Sequence, residues 1–218
     1  TIVLIVFMAG GMRRQLVPGR WQLMTESFTG FVENLVDANI GEGGRKYAPY
    51  IFALFMFILF ANVLGLIPIG VFGLHPFTVT SHFTITGVLA ILSFSIVLIV
   101  GFFKHGIKFF TLFVPHGTPW PMIPIIFPIE LVSFLVRPFS LALRLFVAMT
   151  AGHVLLKVLG GFVINSTNAG AGYGVFVGIP SFALMVGISA LELLVAAIQA
   201  YVFALLTSLY IHDAEHLH

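Results

Sequence analysis

The chain has 218 residues, of which only 8% are charged and 59% are hydrophobic. Soluble domains carry about 25% charged residues, so this composition excludes a soluble globular domain and a disordered chain and indicates an integral membrane protein. The net charge of +2 comes with no basic stripe, which excludes nucleic acid as a partner, and the lack of cysteine excludes thiol chemistry. Long uncharged runs predict an all-α fold of membrane-spanning helices.

Two segments precede the first long apolar run. Thr1–Met12 is apolar but too short to span a bilayer, so we expect it to be the end of a first membrane helix that starts upstream. Residues 20–40 carry apolar side chains at intervals of three and four: Trp21, Met24, Phe28, Phe31 and Leu35. With acidic residues between them, this stripe predicts an amphipathic helix that lies in the membrane interface.

The next two predicted spans share one uncharged stretch. No Asp, Glu, Lys or Arg occurs between Lys46 and Lys104, which leaves room for two helices of about 20 residues each. Proline and glycine cluster at Pro68–Pro76 and predict the turn between them. We therefore predict membrane helices at residues 47–67 and 83–103, which makes five with the first helix and the last two.

The last two predicted helices are long. The prolines within residues 109–129 predict a loop or a surface-lying segment, since proline interrupts a straight helix. Helices follow at residues 131–159 and 175–211, with a glycine-rich turn between them and a polar tail at residues 212–218. At 1.5 Å per residue they measure roughly 44 and 55 Å, more than a hydrocarbon core of about 30 Å, so we expect both to tilt steeply.

Lysine and arginine are distributed unevenly across this topology. Outside the membrane only Lys157 falls on one side, and the opposite side holds Arg13, Arg14, Arg20, Arg45, Lys46, Lys104, Lys108 and Arg137. Since positively charged loops stay in the cytoplasm or the matrix, we predict that this side and the C-terminus face that compartment.

One predicted helix carries a polar face from its start to its middle. Glu130, Ser133, Arg137, Ser140 and Arg144 follow at spacings of three, four, three and four, which aligns their side chains on one side of an α-helix. An arginine at the bilayer centre costs about 2.5–3.5 kcal/mol on insertion scales, and intramembrane charges usually mark an ion path. Arg144 is therefore the first candidate functional residue.

Polar residues towards the opposite membrane face form a second track. His153 lies near the far end of the same helix, while Glu192 and Gln199 share one face of the last helix. Arginine keeps its proton in proteins, so two tracks that meet at Arg144 suit an ion-driven rotor better than a continuous pore. The alternative interpretation is a buried salt bridge between Arg144 and Glu192 that serves only the structure.

Six segments carry a more specific pattern, and they are Val17-Pro-Gly-Arg20, Ala61-Asn-Val-Leu-Gly-Leu-Ile-Pro68, Pro128-Ile-Glu-Leu-Val-Ser133, Arg137-Pro-Phe-Ser-Leu-Ala-Leu-Arg-Leu-Phe146, Ala151-Gly-His153 and Glu192 to Thr207. In order, and over essentially the whole chain, they closely resemble the subunit a family of F-type ATP synthases. The resemblance implies a stator subunit that is not catalytic alone and that gives protons access to the ring of c-subunits. It implies further contacts with b-type subunits of the peripheral stalk and with lipid. We expect no cofactor, and no metal site, because His212, His216 and His218 are interpreted as part of a solvated tail.

The resemblance also implies a role for each candidate residue. Arg144 would be the essential arginine that faces the c-ring and separates the half-channels. The proton inlet would comprise Glu192, His153, Gln199 and Asn62. The cytoplasmic half-channel would comprise Glu130, Ser133 and Ser140.

This chain departs from many bacterial members of that family. Ala148 replaces an asparagine and Gly65 replaces an acidic residue, so neither has a proton-path role. Some members have a glutamate after Ala-Gly and a histidine on the last helix. This chain has His153 and Glu192 at those positions, which resembles alphaproteobacterial and mitochondrial versions. We therefore expect the bacterial inner membrane, with the mitochondrial inner membrane as the alternative.

Three other functions remain open from the residues. A stand-alone channel or a secondary transporter would be favoured by an internal repeat, which the two halves of the chain do not show. A structural anchor predicts that Arg144→Ala leaves ion movement unchanged. Sodium coupling is an alternative to proton coupling, because the resemblance implies that the ring largely sets the choice of ion.

Overall fold

The computed structural model describes residues 19–66, 83–106, 120–168 and 171–215, and within these ranges all regular structure is helical. Five α-helices follow in order: α1 (Arg20–Ile40), α2 (Ala48–Leu66), α3 (Phe83–His105), α4 (Ile123–Asn168) and α5 (Ala171–Glu215). Short 3₁₀ helices at Glu42–Tyr47 and Trp120–Met122 precede α2 and α4. The predicted first membrane helix at residues 1–12 lies outside the described ranges.

Helix α1 has the bounds predicted for the interfacial helix, and Leu35 is the one member of the predicted apolar stripe among its buried residues. Its buried residues are Thr25, Val32, Leu35, Val36 and Ile40, which pack towards α2 and α5. Of the predicted apolar stripe, Trp21 is 66% exposed and Met24 is 50% exposed. The stripe therefore faces outwards in its first turns, as suits a helix in contact with lipid. Gly41, at φ +85°, ends α1 in the region that favours glycine.

Among the described residues, four helices are long and apolar enough to cross a membrane: Gly43–Leu66, Phe83–His105, Ile123–Ser166 and Val175–Glu215. α2 and α3 are joined within the membrane by a hydrogen bond of 3.1 Å between Tyr50 Oη and Ser93 Oγ. Such a bond satisfies two hydroxyl groups that have no bulk water to pair with.

Helix α4 is longer than predicted at both ends. It begins at Ile123, so residues 123–129 are helical and not a loop, and it continues through the glycines at 160 and 161 to Asn168. Pro124 stands in the first turn, where a backbone N–H would have no helical partner in any case. Further along, the hydrocarbon of the bilayer offers the backbone no hydrogen-bond partners. The helical hydrogen bonds are therefore favoured strongly enough to outweigh the tendency of proline and glycine to break a helix.

Helix α5 runs antiparallel beside α4 and also exceeds its predicted bounds. It extends to Glu215, so residues 212–215 of the predicted polar tail are helical, and residues 216–218 lie outside the described ranges. With 46 and 45 residues, α4 and α5 each measure roughly 70 Å, more than twice the hydrocarbon thickness. Ala196, Ala200 and Ala204 are fully buried at intervals of four, and these small side chains permit close packing of α5.

Candidate functional site

Arg144 lies midway along α4, and its side chain is exposed. Its side chain lines a shallow cavity of about 430 Å³ together with Ser140 and apolar neighbours. Phe139 and Val147 in this lining are 55% and 54% exposed. No carboxylate of the described residues lies within ion-pair distance of its guanidinium. The arginine therefore presents an uncompensated charge on an apolar surface.

Glu192 pairs with His153 and not with Arg144. Its Oε1 lies 3.6 Å from His153 Nδ1, and the carboxylate is 3% exposed. The alternative of a structural Arg144–Glu192 salt bridge is therefore wrong. A Cβ atom at residue 152 would lie 2.5 Å from Glu192 Oε1, so Gly152 provides the space in which the carboxylate meets the imidazole.

Several buried polar atoms around this pair have no hydrogen-bond partner among the described residues. Both carboxylate oxygens of Glu192, Nε2 of His153 and Oγ1 of Thr150 belong to this set. An unpaired buried polar group costs about 1–3 kcal/mol unless water or a transferable proton reaches it. The arrangement is thus suited to hydration and to proton exchange.

Asn62 brings α2 to the same part of α5. It is fully buried, and its Nδ2 donates a hydrogen bond of 3.2 Å to the carbonyl oxygen of Ala196, one turn beyond Glu192. Its Oδ1 has no hydrogen-bond partner in the described part of the chain, so it can accept a hydrogen bond from a further donor. Gln199, the other predicted inlet residue, is half-buried one turn further along α5.

The predicted cytoplasmic residues lie on α4 before Arg144. Ser140 shares its cavity, whereas Glu130 and Ser133 lie roughly 21 and 16 Å before it along the helix axis. Ser133 is exposed and Glu130 is half-buried. The structure therefore brings Ser140 and Arg144 together and leaves Glu130 towards the start of the helix.

Sequence analysis missed an ionic cluster at the end of α5. Glu215 is only 6% exposed, and its Oε1 accepts hydrogen bonds from Lys46 Nζ at 2.7 Å and Lys104 Nζ at 3.0 Å. Asp213 Oδ2 accepts a bond of 3.1 Å from Arg137 Nη1 on α4. No sequence pattern predicts these pairs, because their members are separated by 76 to 169 residues along the chain.

Comparison with known proteins identifies the family of this chain. Residues 1–212 match the family model described as ATP synthase A chain. The chain is 76% identical to ATP synthase subunit a of Erythrobacter litoralis over 218 residues, which covers all of this chain and 83% of the relative. The protein of that name from Novosphingobium aromaticivorans is 72% identical, with 100% and 84% covered. The one from Zymomonas mobilis is 61% identical, with 99% and 84% covered.

The match covers the described helices as far as His212 and includes the positions of the arginine, the acid–histidine pair and the buried asparagine discussed above. Identities of this size over the full chain leave no other fold assignment open. This chain belongs to the ATP synthase A chain family, the subunit a of F-type ATP synthases.

Proposed function

We propose that this chain is the stator subunit through which protons reach the rotor carboxylates of an F-type ATP synthase by two offset half-paths. Its family and its apolar helices place it as a multi-pass protein of the bacterial inner membrane and as a component of the complex. It translocates protons and is not catalytic alone. A stand-alone channel or transporter is not its function.

The observation that carries the proposal is the exposed, unpaired Arg144 on an apolar face at membrane depth. A cation in hydrocarbon is costly, and this chain supplies no carboxylate to Arg144 in its described part. A partner must therefore provide the negative charge. A c-subunit ring, whose carboxylates pass this face one after another, meets that requirement.

Glu192, His153, Gln199 and Asn62 form the proposed inlet half-path. Glu192 and His153 can exchange protons, whereas the two amides only donate and accept hydrogen bonds and so orient the path. The pair of titratable groups is buried but not sealed, since His153 is 21% exposed. It can therefore pass a proton from the outer side to a rotor carboxylate.

Glu130, Ser133 and Ser140 form the proposed outlet half-path. A protonated rotor carboxylate that turns towards Arg144 is favoured as the anion by the guanidinium, and its proton leaves along this face of α4. Because arginine does not give up its own proton, the two half-paths do not join into a leak. Each charge that crosses 100 mV supplies about 2.3 kcal/mol for rotation.

The proposed orientation places the end of α5 in the cytoplasm. Lys46, Lys104 and Arg137 gather around this end, which is the arrangement that the positive-inside rule favours for the cytoplasmic side. The apolar outer faces of α4 and α5, with residues such as Phe176 at 83% exposure, leave room for the c-ring, b-type subunits and lipid.

The test is Arg144→Ala in the assembled complex, reconstituted in vesicles. We expect ATP-driven proton pumping to fall to the background rate while passive proton flux through the membrane sector persists, because the barrier between the half-paths is removed. Arg45→Ala, which removes a cation that is 78% exposed, is the matched control and should pump normally. Coupled pumping by Arg144→Ala at the wild-type rate would refute the proposal.

A further inference from the structure

A second arginine stands on the same helix as Arg144. Arg137 precedes it by seven residues, which is two turns or about 10 Å along the axis and places both Cα atoms on one side of α4. Like Arg144, it remains protonated at all physiological pH values. An uncompensated cation here would repel every proton that moves between Arg144 and the cytoplasm.

The structure gives the two arginines opposite surroundings. Arg137 Nη1 donates a hydrogen bond of 3.1 Å to Asp213 Oδ2, and its guanidinium lies 5.2 Å from the ring centre of Tyr210 and 5.7 Å from that of Phe134. Arg144 forms no such ion pair with a described residue. One arginine is neutralised within the chain, and the other is left for a partner.

Other charges near this end of α5 do not replace Asp213. Glu215 is shared by two lysines, Lys46 and Lys104, so it has no charge to spare for Arg137. The ring of His212 lies 3.8 Å from Asp213 Oδ1 and adds no negative charge. Within the described ranges, Asp213 is therefore the carboxylate that pairs with Arg137.

We propose that Asp213 is a positioning residue that cancels the charge of Arg137 and so keeps the cytoplasmic half-path permeable to protons. This inference rests on the proposed function, since it concerns the path between Glu130 and Arg144. Asp213 acts through Arg137 and does not itself carry the proton. The pair is partly exposed, at 28% for Arg137 and 45% for Asp213, so its charges act on the solvated mouth of the path.

The first variant is Asp213→Asn, which retains the size and hydrogen bonding of the side chain but leaves Arg137 unpaired. A unit charge about 10 Å from a proton beside Arg144, at effective dielectric constants between 20 and 80, should slow proton passage about two- to seventeenfold. The measurement is passive proton flux through the reconstituted membrane sector at about 0.01 M salt. At about 1 M salt the screening length shrinks from about 30 Å to 3 Å, and most of the deficit should disappear.

The second variant distinguishes charge from structural support. Asp213→Asn combined with Arg137→Gln removes both charges, and we expect flux to return to the wild-type rate. Arg137→Gln alone should not slow proton flux. If the ion pair merely held α4 to α5, the double variant would remain slow and salt would not restore it, and the proposal would be wrong.

A matched ion pair serves as the control. Arg45 Nη2, in the 3₁₀ helix after α1, lies 3.4 Å from Oδ2 of Asp37 in the last turns of α1. Asp37→Asn should leave proton flux unchanged at every salt concentration. A deficit equal to that of Asp213→Asn would mean that any unpaired arginine on this side slows the complex, and would overturn the assignment to Asp213.

The two proposals fail in different ways. If Arg144→Ala abolishes pumping but Asp213→Asn conducts like the wild type at low salt, only the role of Asp213 is refuted. If Arg144→Ala pumps normally, the proposed function itself is refuted. Assembly of each variant is checked by the yield of intact complex and by its ATP hydrolysis rate after the proton gradient has been collapsed.

Discussion

Gly152 has no side chain, and this allows the Glu192 carboxylate to lie against α4. A methyl group at residue 152 would come within 2.5 Å of Oε1, 2.7 Å of Cδ and 3.0 Å of Cγ of Glu192. These atoms are the far end of a flexible side chain, so the fold tolerates the change by moving them. What is displaced, however, is the carboxylate that we propose exchanges protons with His153.

We therefore expect Gly152→Ala to assemble normally and to lower ATP-driven pumping roughly tenfold to a hundredfold, the range that a misplacement of about 1 Å costs in a reaction site. Gly160→Ala on the same helix is the control, because no atom lies within 4 Å of its Cβ position. Adding Glu192→Asp to Gly152→Ala shortens the side chain and should recover part of the rate. Normal pumping by Gly152→Ala alone would show that the position of the carboxylate is not critical.

Helix α5 is held at its C-terminal end by one buried carboxylate. Glu215 Oε1 receives Lys46 from the turn before α2 and Lys104 from the end of α3, and the carbonyl oxygen of Glu215 lies 3.0 Å from His105 Nε2. The lysines are 55% and 43% exposed, so each pair contributes modestly, but the three-way contact links three helices. The last turn of α5 therefore depends on a group far from the proton path.

Glu215→Ala should loosen that turn, because two lysines then face each other without a shared anion. We expect faster hydrogen–deuterium exchange at residues 210–215, by about two- to thirteenfold, which corresponds to the 0.5–1.5 kcal/mol of a typical hydrogen-bonded contact. Glu26→Ala is the control, since Glu26 Oε1 accepts only an exposed bond from Gln22 on its own helix. Unchanged exchange in Glu215→Ala would mean that apolar packing alone holds the end of α5.

The arrangement of the whole chain predicts which residues face which compartment. The start of α2, the end of α3 and the end of α5 meet at the Glu215 cluster, so they lie on one side of the membrane. Lys157 follows Arg137 by 20 residues on α4, about 30 Å along the helix axis and away from that cluster. Lys157 should therefore lie on the opposite side.

The chain lacks cysteine, so single cysteines can report this topology directly. We expect a membrane-impermeant maleimide to label Arg45→Cys only from the cytoplasmic side and Lys157→Cys only from the periplasmic side of oriented vesicles. Both positions are exposed in the chain. Labelling of the two positions from the same side would contradict the proposed orientation.

Hydropathy and charge alone were sufficient to predict the class of protein and the approximate positions of the described spans. They also singled out the candidate residues Arg144, Glu192 and His153. The physical reason is that hydrocarbon penalises charge and unsatisfied backbone so strongly that spans and intramembrane ions stand out in one dimension. The ends of α4 and α5 were predicted wrongly, because local proline and glycine preferences are weaker than this demand of the bilayer for backbone hydrogen bonds.

Only tertiary packing decided which charges meet. The partners of Glu192, Arg137 and Glu215 come from other helices, up to 169 residues away, and no local pattern encodes such a pairing. The same holds for the space at Gly152, which has meaning only beside Glu192. Composition therefore dictates that a few charges lie in an apolar chain, whereas the approach of the helices determines that Arg137 pairs with Asp213 and that Arg144 pairs with no described carboxylate.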